Sequence, residues 1–308
     1  MKTLDINKND AGQRLDKFLT KAVKALPLAL VYKYIRLKKI KVNGKRAEIS
    51  YRLNEGDKVE LYIKDEFFEP SAADNAYKIL TPKIDVVYED SEIIICDKRP
   101  GMLSHSGGGE EINTLIGHIK AYLYQKGEYD PDNENSFAPA LCHRLDRNTG
   151  GLVIAAKTAA ALRRVNSEIK ESNVVKKYLC AVHGTLEKKE SVLTGYLLKD
   201  EETNTVTVYN KRPLSENVKT IVTEYKVIAE NGGLSLLDVA LITGRTHQIR
   251  AHFASAGHPL LGDGKYGVNR NDKKAGYKYQ ALYSYYLKLD GREYYADKSK
   301  IWFLKEFQ

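Results

Sequence analysis

The chain has little of what would cross-link it or fix it in a membrane. Its 308 residues include three cysteines, Cys96, Cys142 and Cys180, widely spaced and without a C-x-x-C pair. That spacing argues against a disulfide framework or a cysteine zinc site, and the three read as small core residues. No apolar run approaches the ~20 residues needed to cross a bilayer; stretches such as "ALPLAL" and "EIIIC" are far shorter. The opening "MKTLDINKND" has no apolar signal region, so a globular cytoplasmic protein with no membrane partner is expected. His247, His252 and His258 are close in sequence but lack H-E-x-x-H spacing and cysteine partners, so no metal is expected.

The chain is long enough for one large domain or two, and 43% apolar residues can build a sizeable core. The net charge of +9 is unevenly placed. Residues 1–65 hold sixteen Lys/Arg against eight Asp/Glu, leaving the remainder nearly neutral. A small basic unit thus precedes a larger one. Such a surface attracts polyphosphate backbones, nucleic acid being the usual partner, although a merely soluble lysine-rich surface has the same composition.

In the basic unit, "RLDKFLTKAV" spaces Leu15, Phe18, Leu19 and Val23 at helical intervals, and "LVYKYIRLKKI" does so with Val31, Tyr34, Ile35 and Leu37. An Asn-Gly turn in "KVNGK" follows, and "EGDKVELYI" alternates Val59, Leu61 and Ile63 as a strand does. Lys33, Arg36, Lys38, Lys39, Lys41, Lys45 and Arg46 fall on the second helix and the adjoining turn, which concentrates positive charge on one edge. Residues 66–80, "EFFEPSAADNAYKIL", read as a linker. Residues 81–308 then supply strands in "IDVVYED", "EIIICDKRPG", "GLVIAAK", "VVKKYLCAVHG", "NTVTVYN", "TIVTEYKVIAE" and "GLSLLDVAL", with helices in "NTLIGHIKAYLYQKG" and "TAAALRRVNSEIKE". Strands with few helices between them predict an α+β domain on a mixed, mainly antiparallel sheet.

"CHRLDRNTGG", residues 142–151, places Asp146 between Arg144 and Arg147 and then runs into two glycines. An arginine within a few ångströms favours the ionised carboxylate, suited to act as nucleophile or base. Gly150 and Gly151 permit left-handed backbone or close approach of another group, as a site admitting a bulky substrate requires. Taken alone, the same pattern fits a surface ion-pair turn. "GDGKYG", residues 262–267, fits G-x-G-x-x-G, yet no apolar strand leads into it, so no nucleotide cofactor is expected.

Two resemblances sharpen this reading. "RLDKFL…IRLKKIKVNGK…NEGDKVELY" resembles the small alpha-L type RNA-binding module over roughly residues 12–63, although "LPLALVY" stands where the family often has a Ser-Arg pair. "HRLDRNTGGL" is similar to the His-Arg-Leu-Asp-Arg-x-Thr-Ser-Gly-Leu signature of the RluA family of pseudouridine synthases, with Gly150 in the usual place of Ser. "YEDSEIIICDKRPGMLSH", "KKYLCAVHG", "LITGRTHQIRAHFASAGHPLLGDGKYG" and "QALYSYYLKL" resemble four further family motifs in order. In the last, Tyr283 and Ser284 replace the common His-Ala.

The resemblance implies a cofactor-free RNA isomerase converting uridine to pseudouridine, most often in large-subunit ribosomal RNA for members with the N-terminal module, and expected to act as a monomer. It implies that Asp146 is the catalytic carboxylate, acting either on ribose C1′ or on a ribose proton. The resemblance likewise implies that Tyr178 stacks on the base and assists proton removal at C5, and that Arg250 pairs with the aspartate. Arg144 enters the RNA stack when the uridine leaves, and Arg245 touches phosphate or shapes the pocket. Arg147, Thr246 and His247 complete the expected substrate-binding set, with His252 and His258 assigned to core or RNA-facing roles. A binding factor without turnover, or a glycoside hydrolase, are the readings from other classes; the latter normally needs two carboxylates about the scissile bond.

Overall fold

The computed structural model describes residues 1–68, 72–107, 112–267 and 269–308. In the N-terminal unit, β1 (Lys2–Asp5), α1 (Leu15–Ala22), α2 (Leu28–Arg36), β2 (Ile40–Val42) and β3 (Lys58–Leu61) follow in order, with β3 at the centre of an antiparallel sheet. The helical spacing is realised in packing: Leu15, Phe18, Leu19, Val23, Val31 and Ile35 are buried with Val59 and Leu61 of the central strand. Leu37, expected on the inward face, is exposed, because α2 ends at Arg36 and Lys38 turns the chain at φ +60°. Asn43 and Gly44 both take positive φ, as a tight turn with an Asn-Gly pair demands.

The segment expected as a linker is more ordered than its composition suggests. It holds 3₁₀ turns at Asp65–Phe68 and Ala72–Ile79, with Phe67 and Phe68 packed on the N-terminal core and Tyr77 buried. Residues 69–71 of that expectation lie outside the described residues. The two units also meet through side chains. Asp10 is fully buried and accepts hydrogen bonds from Asn135 and Ser136, while Asn9 donates to Glu134 and accepts from the Ala159 N–H.

The larger unit contains β4 (Val86–Glu89), β5 (Ile93–Lys98), α3 (Leu115–Gln125), β6 (Ala140–Leu141), β7 (Gly150–Ala156), α4 (Ala159–Lys170), β8 (Val175–His183), β9 (Glu190–Asp200), β10 (Thr205–Tyr209), β11 (Lys219–Asn231), β12 (Leu234–Leu241), α5 (Gln248–Ser255), α6 (Asn269–Lys274), β13 (Leu282–Leu289) and β14 (Arg292–Tyr295). They form one sheet in the order β10-β9-β11-β12-β8-β13-β7-β5-β4, with β6 on β7 and β14 on β13. Every pairing is antiparallel except β13 with β7. The expected α+β class therefore holds.

Side chains alternate across this sheet, so successive residues enter different cores. Ile94, Cys96, Val153 and Ala155 pack with Leu115, Ile119 and Leu123 of α3 and with Ile249 and Phe253 of α5. Ile93, Ile95, Leu152 and Ile154 face the other way, onto Ala161 and Val165 of α4. Covering both faces makes β5 and β7 continuously apolar in sequence. Thr114 and Thr158 cap α3 and α4, each accepting from a backbone N–H three residues on. Cys96 and Cys180 are buried and Cys142 packs at the edge of the second core, as expected.

Candidate active site

Asp146 sits in the loop between β6 and β7, which two other segments brace. Ser104 Oγ donates to the Leu145 carbonyl and accepts from the Leu145 N–H, so one hydroxyl grips both backbone groups. Lys98, 1% exposed at the end of β5, donates from Nζ to the carbonyls of Arg99, Met102 and Arg147. Burial pushes its pKa down to about 7, opposed by the nearby negative charges of Asp146 and Asp97. The Asp146 carbonyl accepts from the Thr149 N–H, closing the turn, and Thr149 Oγ1 accepts from Gln280.

The two glycines serve packing rather than substrate entry. They open β7 where parallel β13 runs alongside, Gly150 opposite Tyr283 and Gly151 opposite Ser284. A Cβ at 150 would meet the Tyr283 ring at 2.4 Å, and one at 151 would meet the Ser284 backbone at 2.2 Å, with Gly151 at φ +117°. The two departures from the family motifs, at 150 and 283, therefore lie against each other. Tyr283 takes the volume that a side chain at 150 would occupy, and its hydroxyl donates to buried Asp97.

The guanidinium beside Asp146 comes from 104 positions away. Arg250 Nη1 donates to Asp146 Oδ2 at 2.8 Å, while Nε and Nη2 bind both oxygens of Asp263 at 2.8 and 2.9 Å. Arg144 and Arg147, its sequence neighbours, are exposed, so the clamp read from local sequence is corrected. Nor does Arg250 lie on a solvated helix face; it is 7% exposed. Asp263 is fully buried, held by the Arg250 fork and by the N–H groups of Lys265 and Tyr266. Its pKa is lowered, because those partners outweigh the desolvation that opposes them, and both acids raise that of Arg250 against its own burial.

Backbone architecture explains why Arg250 points there. Gln248, 2% exposed, ties the loop before α5 to strand β11: Oε1 accepts from Thr243 Oγ1 and the Arg245 N–H, and Nε2 donates to the Val222 carbonyl and Thr223 Oγ1. His247 enters α5 in left-handed conformation, φ +53°. Its Nε2 lies 3.8 Å from Asp146 Oδ1, and its Nδ1 is 2.8 Å from the Tyr266 hydroxyl. The Arg250 guanidinium lies 5.2 Å from the centre of the Tyr266 ring.

These groups wall a shallow open cleft with a cavity volume of about 70 Å³. Arg144, Leu145, Asp146 and Thr149 form one side, Tyr178, Leu241 and Leu282 rise from the sheet, and Arg245 with residues 247–250 complete the rim. The Asp146 side chain keeps 22% exposure at this opening. Tyr178 is buried, and burial pushes its hydroxyl up to about 12, which leaves a neutral phenol at ordinary pH. The structure therefore brings together Asp146, Tyr178, Arg250, Arg144, Arg245 and His247. Arg147 and Thr246 are not among the residues forming the cleft wall. His252 bonds Thr223 in the core and His258 meets the His183 carbonyl, so the three histidines separate. Among the described residues no three metal-ligating side chains converge, and no helix is long and apolar enough to cross a membrane.

Residues 92–255 match the family model for RNA pseudouridylate synthase. The chain belongs to the RNA pseudouridine synthase family. Residues 13–59 of the synthase match the S4 domain, the RNA-binding module expected at the N-terminus. It is 32% identical to "Ribosomal large subunit pseudouridine synthase C" of Vibrio parahaemolyticus, over 89% of this chain and 82% of that one. An "Uncharacterized RNA pseudouridine synthase" of Mycoplasma capricolum is 35% identical over 88% of this chain and 87% of its own. The fold is shared with human RNA pseudouridylate synthase domain containing 4, at TM-score 0.56 and 22% identity, covering 69% of the synthase and 88% of that chain. It is an isomerase acting on RNA.

Sequence reasoning missed Lys98, Ser104, Gln248, Asp263 and Tyr266. The last two stand inside "GDGKYG", at the end of the family motif that contains Arg250, and that shared motif is the signal that could have found them.

Proposed function

We propose that the synthase isomerises uridine in large-subunit ribosomal RNA, with Asp146 as the catalytic carboxylate acting on a nucleotide drawn out of the RNA stack. The observation that carries this is the division of labour within one side chain: Arg250 holds Oδ2, while the carboxylate remains open to the cleft. That leaves a rigid anion facing a ribose, fit to attack C1′ or to take a ribose proton as the glycosidic bond breaks. The freed uracil turns and rejoins C1′ through C5, whose proton then passes to solvent while N1 takes one up.

Tyr178 offers a ring against which the base packs. Arg144, exposed at the cleft mouth, fills the gap that the departing nucleotide leaves, and the stacking and hydrogen bonding recover part of the few kcal/mol that extrusion costs. Arg245 meets phosphate at the rim, with Arg147 and Thr246 on the approach. Asp146 is the one carboxylate among the described residues of the cleft wall, and buried Asp263 is committed to Arg250. A glycoside hydrolase needs a second available acid, so that reading loses its support.

The ribosomal target rests on the names of relatives matched over most of their length. Steering falls to Lys33, Arg36, Lys38, Lys39, Lys41, Lys45 and Arg46; none of these seven pairs with a carboxylate among the described residues. The same reading has the synthase working as a cytoplasmic monomer without a cofactor. Tritium release from uridine labelled at C5 tests the target: release from large-subunit ribosomal RNA is expected, and release from transfer RNA alone would overturn it.

A further inference from the structure

His247 is a strained residue with a specific tautomer. The Tyr266 hydroxyl accepts a hydrogen bond from the Val206 N–H at 3.0 Å and lies 2.8 Å from His247 Nδ1. A phenol has one proton to donate. If Nδ1 carried a hydrogen, that oxygen would face two donors and its own proton would have no acceptor among the described residues. Donation from Tyr266 to Nδ1 satisfies all three groups, and it places the imidazole hydrogen on Nε2. Burial favours the neutral ring.

Nε2–H then points into the cleft, 3.8 Å from Asp146 Oδ1, beyond hydrogen-bond reach. The donor is therefore available to a ligand lying against the carboxylate. Left-handed backbone at a non-glycine residue persists only where its surroundings over-determine it and often marks a functional position. Here the four hydrogen bonds of Gln248 and the Tyr266 contact do so.

We infer that His247, locked by Tyr266 and the Val206 N–H as the Nε2–H tautomer, donates a hydrogen bond to the carbonyl oxygen of the pyrimidine beside its glycosidic nitrogen. This deepens the proposed function and rests on it. When the C1′–N1 bond breaks, its electron pair stays with the base and spreads onto that carbonyl. The Nε2–H stabilises the charge there without transferring a proton. A cytosine presents the same carbonyl, so the contact serves bond cleavage and does not select uridine.

Long-range ¹H–¹⁵N correlation on histidine-labelled full-length protein reads the tautomer without any turnover. The expected result is Nε2–H for His247 in the wild type and a mixture of tautomers in Tyr266→Phe; Nδ1–H in the wild type, or an unchanged spectrum in the variant, would overturn the lock. In activity, His247→Ala is expected to lower kcat by about 10²-fold with little change in KM for RNA, and His247→Gln to recover part of it through its amide donor. A raised KM with kcat intact would make His247 a binding residue only and overturn the catalytic role. Wild-type tritium release, measured alongside, separates failure of this inference from failure of the proposed function.

Discussion

The two ends of the synthase use cations in opposite ways. In the N-terminal module, six of the seven cations at α2 and its turn are exposed, and Lys39 and Lys41 rest over the rings of Tyr34 and Tyr62 without an acidic partner among the described residues. In the catalytic domain Lys98 and Arg250 are buried, and their donors are committed to named oxygens. An unpartnered surface charge is free to attract a distant polyanion, and salt weakens it. A buried, fully bonded charge attracts nothing from afar; it fixes geometry.

Substitutions can break or sharpen that contrast. The largest loss of stability is expected at Asp263→Ala, which removes two of the three carboxylate hydrogen bonds of buried Arg250 and leaves Asp146 to balance its charge. About 3–5 kcal/mol should appear in denaturant unfolding, with activity falling as Arg250 loses its alignment on Asp146. A loss under 1 kcal/mol would show that Arg250 needs no such anchor.

Lys98 should impose a pH dependence that no surface lysine shares. Its folded pKa of about 7 lies below its unfolded value, about 10.4. Between those values the unfolded chain binds the extra proton, so stability should rise as pH rises from about 7 towards 10. Lys98→Met should abolish that rise, and Lys33→Met should leave it intact; equal pH profiles for both variants would refute the assignment.

The smallest effect on chemistry, and the largest on salt response, is expected from replacing Lys33, Arg36, Lys38 and Lys39 by Ser. RNA affinity should fall, and the log K against log salt slope should flatten by about 0.7–0.9 for each phosphate contact removed, while single-turnover rate at saturating RNA holds. An unchanged slope would remove the steering role.

What was legible in the sequence follows the same division. Helix periodicity, the Asn-Gly turn and the basic edge are local, and the structure kept them, apart from Leu37, which a positive-φ turn at Lys38 sends outward. Strand β9 is not legible in the sequence, because burial alternates along Glu190–Asp200 while hydrophobicity does not: Val192 lies on the exposed side and Gly195 on the buried side. The site was half legible. Asp146 and its pairing with Arg250 are legible through the family motifs, but local sequence alone points to Arg144 and Arg147 as the clamp, because Arg250 reaches the carboxylate only once α5 folds against the sheet. The glycine pair likewise had a non-local cause in β13. Gly150→Ser should therefore cost about 1–3 kcal/mol by overpacking, and Tyr283→His in the same chain should return much of it. Thermal unfolding of the single and double variants decides whether the two positions are coupled.

The central claim, that one carboxylate held by a distant arginine performs the chemistry, is tested most directly by Asp146→Asn. Binding of a large-subunit RNA fragment and tritium release from its C5-labelled uridines should be followed in single turnover. Affinity within a few-fold of wild type with release abolished is the predicted result. Release at the wild-type rate would contradict the account.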